Sequence, residues 1–537
     1  MKKLSYYIIT CLSLILIFGC SSPDEKANKL FVEASQLVKK AQEAEKTSYS
    51  DALKLYEKAL EKIERIQSKY PSSELAVKLV QDSRIKVGSY TIKEIKETIV
   101  PYVEIKAKAE ENPLACALFV AITINIADDK SKALAGIAAE YAKAGQMNKA
   151  SEILSQALQV AITINSADYK SSALADIAAQ YAKAGQMNKA SEILSQALQI
   201  AKTIKYAYSK SSALADIAAE YAKAGQYGQA LQVAKTIKYA SKKSRALADI
   251  AAEYAKAGQM NKASEILSQA LQVAKTINSP YDKSSALADI AAQYAKAGQM
   301  NKASEILSQA LQVAKTMKYP YDKSSALADI AAEYAKAGQY EALQIAKTIK
   351  DADYKSSALA DIAAEYAKAG QYGQALQIAK TIKDADDKSK ALAGIAAQYA
   401  KAGQMNKASE IHSQALQVAK DAYDKSSALA DIAAEYAKAG QYGPALHVAK
   451  TINSAYYKSK ALADIAAEYA KAGQMNKASE ILSQALQVAK TINSPYDKSR
   501  ALANIAAQYA KTGQRVDDKA KKILHEIVLT SSKPENL

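Results

Sequence analysis

Lysine is the ionisable residue with the most regular spacing in this chain, because it stands at one position in eleven copies of a short phrase. The phrase is ALADIAAEYAKAGQ or a close variant, and its lysine precedes its glycine by two residues. We call these residues the lysine ladder: Lys143, Lys183, Lys223, Lys256, Lys296, Lys336, Lys368, Lys401, Lys438, Lys471 and Lys511. A regular row of ammonium groups could hold an extended acidic peptide or an anionic glycan by charge. A lysine at a helix end also interacts favourably with the helix dipole and aids solubility, so this second interpretation stays open.

The other ionisable residues form no pattern typical of an enzyme. The three histidines, His412, His447 and His525, are too scattered for a metal site, whose ligands converge to about 2 Å from the ion. The sequence has no glycine-rich phosphate loop, no nucleophile elbow and no paired carboxylates. We therefore expect no catalytic residues, no cofactor and no metal. An enzyme would have to depend on the less repetitive residues 24–113, and is the third choice.

The first twenty residues have the features of an export signal. Two lysines precede an apolar run over residues 8–18, which is long enough for a signal peptide but too short to cross a bilayer. The run ends in IFGC at residues 17–20, which resembles a bacterial lipobox. This resemblance implies cleavage before Cys20, lipidation of Cys20 (palmitate included) and attachment to the bacterial cell envelope, with Ser21 favouring the outer membrane. An ordinary secretory signal that contains a cysteine is the alternative.

Cysteine usage leaves one thiol for the mature chain. Cys11 would leave with the signal and Cys20 would be acylated, so Cys116 could form no intramolecular disulfide. Cys116 lies in PLACALFVAITI, a diverged copy of ILSQALQVAITI in which it replaces a glutamine. We expect a half-exposed helix residue without a reactive role, and a redox or dimerising role is the alternative.

The elements that must position the lysine ladder are helices in repeated units. The glycines of the phrase are 32 to 40 residues apart along the chain, a period typical of a solenoid whose units bury their apolar faces against their neighbours. Leu174, Ile177 and Tyr181 share one face of a predicted first helix, and Gly185 is suited to end it. Apolar residues from Ala190 onward predict a second helix in the same unit.

This unit resembles the tetratricopeptide repeat (TPR). The positions that match the family signature in residues 171–204 are Ile177, Ala178, Tyr181, Gly185, Ala190, Leu194 and Ala197. The early tryptophan and most of the closing prolines of the family are missing. The resemblance implies an all-α fold, a right-handed α-solenoid of about eleven to twelve helix-turn-helix repeats. It also implies that the ladder borders a concave surface where peptides lie.

The units occur in two lengths. Long units read MNKASEILSQALQVAKTI after the phrase and short units read YGQALQVAKTI, a difference of seven residues. Seven residues make about two helical turns, so the long units should carry a second helix extended by roughly 10 Å without turning its core face outward. The tyrosine of the phrase, Tyr141 through Tyr509, is expected in the core.

The chain is expected to divide into four segments. They are the signal peptide (1–19), a diverged, TPR-like N-terminal helical region (20–113), the TPR-like array (114–513), and a C-terminal capping helix and tail (514–537). Within the second segment, helices are predicted at residues 25–46, 50–69, 72–86 and 92–110, the last interrupted by Pro101.

These features predict a non-enzymatic, lipid-anchored envelope scaffold that binds partner proteins or extended acidic peptides through the solenoid surface. The alternative is a surface or periplasmic binder of anionic glycan or lipopolysaccharide, acting through a basic concave groove. The formal net charge of +17 would also suit nucleic acid, but export conflicts with that partner, so none is expected. The oligomeric state stays open.

Overall fold

The computed structural model describes residues 22–339, 341–419, 425–512 and 516–531. The predicted signal peptide and Cys20 lie outside these ranges. The chain divides into two compact units. The terminal unit combines the residues up to Phe119 with those from Val516, and the array runs from Val120 to Arg515. No helix in the described ranges is both long and apolar enough to pass through a bilayer.

The N-terminal part of the terminal unit is mainly helical. Its helices are α1 (Pro23–Ala44), α2 (Tyr49–Lys69), α3 (Glu74–Gln81), α4 (Ile92–Glu94) and α5 (Val100–Glu111), and α6 (Pro113–Ile122) extends over the boundary with the array. The helices predicted at 25–46 and 50–69 are confirmed. The third is shorter than predicted, because the antiparallel strands β1 (Lys86–Val87) and β2 (Tyr90–Thr91) follow it. Gly88 allows their tight turn with a φ of 66°.

The predicted interruption near Pro101 takes the form of a π-helix. The segment Ile95–Ile99 joins α4 to α5, and Pro101 lies in the first turn of α5. Proline has no backbone N–H to donate and its ring crowds the preceding turn, so the α-helical ladder cannot continue through it unchanged.

The array consists of paired helices. The first helices, which carry the repeated phrase, are α7 (Ala127–Lys143), α9 (Ala167–Lys183), α11 (Ala207–Lys223), α13 (Ala240–Lys256), α15 (Pro280–Lys296), α17 (Pro320–Lys336), α19 (Ala352–Lys368), α21 (Ala385–Lys401), α23 (Lys425–Lys438), α25 (Ala455–Lys471) and α27 (Pro495–Thr512). The second helices are α8 (Met147–Ile162), α10 (Met187–Thr203), α12 (Tyr227–Thr236), α14 (Met260–Lys275), α16 (Met300–Lys315), α18 (Glu341–Thr348), α20 (Tyr372–Thr381), α22 (Met405–Ala419), α24 (Tyr442–Thr451) and α26 (Met475–Lys490). The predicted all-α solenoid of TPR-like helix-turn-helix repeats is confirmed.

The apolar pattern of each unit forms the core between its two helices. Leu174 and Ile177 of α9 are buried, as are Ile193 and Leu194 of α10. Gly185 joins the two helices with a φ of 76°, a value that residues with a Cβ rarely adopt. All ten turn glycines of the array in the described ranges have φ between 70° and 77°. The glycine thus ends the first helix in a left-handed turn, as the sequence predicted.

The second helices confirm the predicted length difference. The long-unit helix α10 has 17 residues and the short-unit helix α12 has 10. Adjacent units are also joined by polar contacts: Gln299 Nε2, in the turn after α15, donates to Ser264 Oγ of α14 at 2.5 Å. The solenoid therefore combines apolar packing with side-chain hydrogen bonds between neighbouring units.

The first helices of the array form a closed series. Each contacts the next along the chain, and the last, α27, contacts the first, α7. A solenoid with free ends needs a polar outer face on its terminal repeats. Here α7 and α27 cover each other, so neither end of this series needs a separate cap. No pattern within a single unit of the sequence predicts this closure.

The C-terminal helix α28 (Asp518–Thr530) belongs to the terminal unit. The predicted C-terminal helix is confirmed, and it packs on α5. His525 Nδ1 lies 2.9 Å from Glu110 Oε2, and both side chains are buried. The same carboxylate accepts the backbone N–H groups of Tyr49 and Ser50 at the start of α2, at 2.8 and 2.7 Å. Glu110 therefore connects three helices of this unit.

Candidate functional site

The lysine ladder lies where the first helices end. Ten of its lysines are the last residue of their helix, and Lys511 precedes the last residue of α27. All eleven are exposed. Because neighbouring first helices contact one another, equivalent lysines lie on adjacent helices along the whole series. The structure therefore brings the predicted ladder together as one row.

Most of the ladder is neutralised by glutamates of the same helix. In seven units a glutamate three residues earlier lies 2.6 to 2.7 Å from the lysine Nζ. The lysine side chains of these pairs are 52 to 71% exposed, whereas their glutamates are only 17 to 23% exposed. Exposed pairs of this kind contribute at most about 1 kcal/mol to stability, so their main effect is on surface charge.

Four ladder lysines have glutamine at the position of that glutamate. They are Lys183, Lys296, Lys401 and Lys511, which come from every third unit of the array. A neutral amide cannot offset the ammonium charge, so these four residues are the strongest cationic points of the ladder. The alternation of EYAK and QYAK in the sequence carries this signal, which was missed at first.

A row of aspartates accompanies the ladder, seven residues earlier on the same helices. We call this row the aspartate belt: Asp176, Asp216, Asp249, Asp289, Asp329, Asp361, Asp431 and Asp464. The belt and the ladder border the same space: a cavity of about 660 Å³ is lined by Asp176, Asp216 and Asp249 together with Lys223 and Lys256. The structure thus places acidic and basic rows side by side on one surface.

The environment of the belt disfavours its negative charge. Burial raises the pKa of Asp329 to about 6, and the neighbouring carboxylates Asp289, Glu333 and Asp361 raise it further. The pKa values of six other belt aspartates are raised with burial as the first cause. Six of the eight belt aspartates are nevertheless exposed, Asp176 and Asp329 among them, and Asp249 and Asp464 are half-buried. They still lie in a recess walled by protein, which limits the water around them.

Taken together, these rows form a surface of mixed charge. Five further cations stand four residues before the belt position: Lys132, Arg245, Lys390, Lys460 and Arg500. With the eleven ladder lysines they give 16 positive charges, against eight belt aspartates and seven paired glutamates, 15 negative charges. Such a surface can bind a chain that carries both signs of charge.

The repeated tyrosine lies in the core in nine of the eleven units, as predicted, and Tyr254 and Tyr366 are half-buried. Tyr181 and Tyr294 are buried, and the hydroxyl of Tyr181 lies 3.0 Å from Ser155 Oγ of the preceding second helix. In short units a second tyrosine packs against the core tyrosine of the next unit: the rings of Tyr227 and Tyr254 stack with centroids 4.1 Å apart. The tyrosines of the phrase are therefore packing residues.

Cys116 differs from its prediction, and the histidines lie apart. Cys116 is fully buried and not half-exposed, because α6 packs it inside; this burial gives no support to a redox or dimerising role. His412 is buried in α22, His447 is exposed on α24, and His525 pairs with Glu110. Within the described ranges no group of three or more His, Cys, Asp or Glu side chains could hold a metal ion.

No protein-family model and no curated protein sequence matches this chain. Among solved structures, Ton1535 from Thermococcus onnurineus NA1 is 18% identical, covers 68% of this chain and 98% of its own, and gives a TM-score of 0.24. A Podosopora anserina putative kinesin light chain with nearly identical TPR-like repeats is 24% identical, with coverages of 36% and 100% and a TM-score of 0.23. A Rap protein complexed with competence and sporulation factor is 14% identical, with coverages of 60% and 98% and a TM-score of 0.26. Superpositions this limited carry no argument about what this chain binds.

Proposed function

We propose that this protein is a non-enzymatic scaffold that binds partner proteins or extended peptides along the first helices of its array. The observation that carries this proposal is the uninterrupted row of first helices. Each presents a ladder lysine with a glutamate or glutamine three residues before it, and eight of the eleven also present a belt aspartate. Repetition of one set of groups suits an extended partner that is itself repetitive along its length, whereas catalysis needs different groups that converge on one point.

The four glutamine-flanked lysines are the points at which we expect acidic side chains of a partner to bind. They carry full charges that no glutamate of their own helix offsets, and they recur at regular intervals. Along the row between these four lysines, the lysine–glutamate ion pairs and the aspartate belt can form ion pairs with positively or negatively charged groups of the partner. The near balance of 16 cations and 15 carboxylates does not favour the alternative of a purely anionic glycan.

We further propose that the scaffold is attached to the bacterial envelope, most simply at the outer membrane, through acylation of Cys20. The lipobox-like residues 17–20 and the apolar run before them support this part of the proposal. A lipid chain gains about 0.8 kcal/mol for each methylene that it buries, and two or more chains suffice for stable anchoring.

Lysine variants test the proposed binding row, and a cysteine variant tests the proposed membrane attachment. Changing Lys183, Lys296, Lys401 and Lys511 to Gln should weaken binding of a fluorescein-labelled poly-glutamate peptide about tenfold, with the difference shrinking at high salt. The control changes Lys149, Lys189, Lys262 and Lys477 to Gln, which removes the same charge from the second helices. Equal losses in both variants would contradict the ladder as the binding row, and tight binding of heparin in place of the peptide would favour the glycan alternative.

The membrane attachment is tested by fractionating bacterial cells that express the chain. Cys20→Ser should move the protein from the membrane pellet to the soluble fraction.

A further inference from the structure

The start of two neighbouring first helices forms a basic, tyrosine-rich patch at the edge of the array opposite to the lysine ladder. The patch consists of residues 205–210 before and within α11 and residues 238–243 before and within α13. It contains Lys205, Tyr206, Tyr208, Lys210, Lys238, Tyr239, Lys242 and Lys243. Neither segment contains an acidic residue. We call it the edge patch.

The two segments are in contact with each other. The rings of Tyr208 and Tyr239 meet edge to face with centroids 5.5 Å apart, and Lys242 Nζ lies 4.6 Å from the centroid of the Tyr208 ring. Tyr206, Tyr208 and Tyr239 are 77%, 51% and 43% exposed, which is unusual for large aromatic side chains. The starts of the two helices therefore present one continuous group of tyrosines and lysines.

Other units do not share this charge. The equivalent segment of α21, residues 383–388, has two lysines, but Asp384, Asp386 and Asp387 lie between them. The segment of α19 likewise balances its lysines with Asp351 and Asp353. Two carboxylates do adjoin the edge patch, because Asp168 of α9 and Asp216 of α11 line a cavity together with Tyr208. The excess of five cations is thus a local property of these two adjacent units.

We propose that the edge patch docks on the surface of an anionic phospholipid bilayer. Tyrosine prefers the interface of a membrane, where its ring lies among the headgroups and its hydroxyl stays wet. Lysine can extend its aliphatic stem along such a surface and bring its ammonium group to the phosphates. The protruding arrangement fits a broad surface, whereas a soluble glycan is usually held in a concave pocket. This contact is separate from the acyl anchor at Cys20 and would orient the array relative to the membrane.

The test compares full-length chains that all carry Cys20→Ser, so that no acyl chain contributes and residues 1–19 are common to every sample. Binding is measured by co-sedimentation with vesicles of phosphatidylglycerol and phosphatidylcholine, and with vesicles of phosphatidylcholine alone. Lys238→Gln with Lys243→Gln should weaken binding to the anionic vesicles about 10- to 30-fold, since each lysine near such a surface contributes roughly fivefold. Binding to the neutral vesicles, to which the apolar run over residues 8–18 can contribute, should not differ between the lysine variants and the parent chain.

A matched pair of substitutions provides the control. Lys383 and Lys388 occupy the equivalent positions at α21, with similar exposure. Lys243 and Lys388 also make the same contact, each donating to a carbonyl at the end of the preceding second helix, at 3.2 and 3.4 Å. Lys383→Gln with Lys388→Gln therefore removes the same net charge and the same hydrogen bond, and should change vesicle binding less than threefold.

A second pair of variants examines the tyrosines. Tyr206→Ser with Tyr239→Ser should also weaken binding, while Tyr319→Ser with Tyr321→Ser at the start of α17 should not, although those rings are 73% and 65% exposed. Equal effects of both lysine pairs, or no effect of either, would overturn the proposal. So would loss of heparin binding with vesicle binding unchanged, which would assign the edge patch to a soluble polyanion. Thermal unfolding monitored by circular dichroism verifies that each variant is folded.

Discussion

One buried position of the array, which is leucine in other long units, is occupied by a polar histidine. His412 of α22 occupies the place of Leu154, Leu482 and other buried leucines of the long units. Neither of its ring nitrogens has a hydrogen-bond partner, and the ring packs against Tyr436 with centroids 4.2 Å apart. An imidazole that gives up water without replacing its hydrogen bonds costs stability.

We expect His412→Leu to stabilise the array, and more so in acid. Burial lowers the pKa of His412 from its ordinary value of 6.5 to about 4. Between these values the unfolded chain binds a proton that the folded chain does not, so stability falls as the pH drops from 6.5 towards 4. The gain should be about 2 kcal/mol at pH 7.5 and larger at pH 5, as measured from urea unfolding curves.

The reverse substitution serves as the control. Leu482 occupies the equivalent buried position in α26, so Leu482→His should introduce the same cost and the same pH dependence. Comparing the free energy of unfolding of each variant with that of the unaltered chain at the same pH cancels the contributions of all other titrating groups. A gain for His412→Leu that is identical at both pH values would show that the imidazole finds partners in solution.

At the scale of elements, the terminal unit depends on a single carboxylate. Burial alone would raise the pKa of Glu110, but hydrogen bonds from His525 and from the backbone of Ser50 and Tyr49 outweigh it and place the pKa below its ordinary value. The hydrogen bond with Glu110 raises the pKa of His525. Both groups are therefore charged together over an intermediate pH range, and their pairing holds α28 on α5.

This pairing predicts that α28 is held most firmly in mild acid. The contribution of His525 is complete below pH 6.5 and is lost as the pH rises through its raised folded pKa. The contribution of Glu110 is complete above pH 4.5 and is lost as the pH falls through its lowered folded pKa. Hydrogen exchange of residues 518–530, corrected for intrinsic rates, should therefore show strongest protection between about pH 4.5 and 6.5.

Two substitutions separate the pair from general effects of pH. His525→Gln should weaken the protection of α28 and remove its decline above pH 6.5, whereas His447→Gln changes an exposed histidine of α24 and should alter neither. Protection of α28 that rises steadily with pH in the unaltered chain would contradict the charged pair.

The spacing of residues within one unit predicts its helices and turn, but it does not predict contacts between helices that are far apart in the chain. The position of Gly185, the apolar face of Leu174 and Ile177, and the seven-residue difference between unit types all act within one unit, so the sequence predicted them correctly. The pairing of His525 with Glu110 joins residues far apart in the chain, and no local pattern marks it. The burial of Cys116 was mispredicted for a related reason, since its position was inferred from the half-buried Gln156 of a regular copy.

At the scale of the array, closure follows from a small turn repeated many times. Eleven first helices that close on themselves require an average rotation of 360°/11, about 33° per unit. Units of two lengths contribute to this sum, because their first helices are similar and only their second helices differ. No single unit reveals whether the series stays open or closes, which explains why the sequence did not show it.

Closure brings together the two ends of the lysine ladder. Lys143 of α7 and Lys511 of α27 line the same cavity of about 430 Å³, together with Glu140, Arg500 and Asn504. An amine-reactive cross-linker with a spacer of about 11 Å, close to the separation of packed helix axes, should therefore join Lys143 to Lys511 within one chain. Peptide mass spectrometry of the monomeric fraction would identify this link.

The yield of cross-links between lysines on consecutive first helices provides the reference for this experiment. Lys471 and Lys511 lie on the consecutive first helices α25 and α27, so their link forms whether the series is open or closed. In an open solenoid Lys143 and Lys511 would be separated by ten helix spacings along the series, far beyond the reach of the reagent. A Lys143–Lys511 link of comparable yield therefore requires the contact between α7 and α27. Its absence beside an abundant Lys471–Lys511 link would mean that the array is open in solution, because the rotation per unit would then fall short of the value that closure demands.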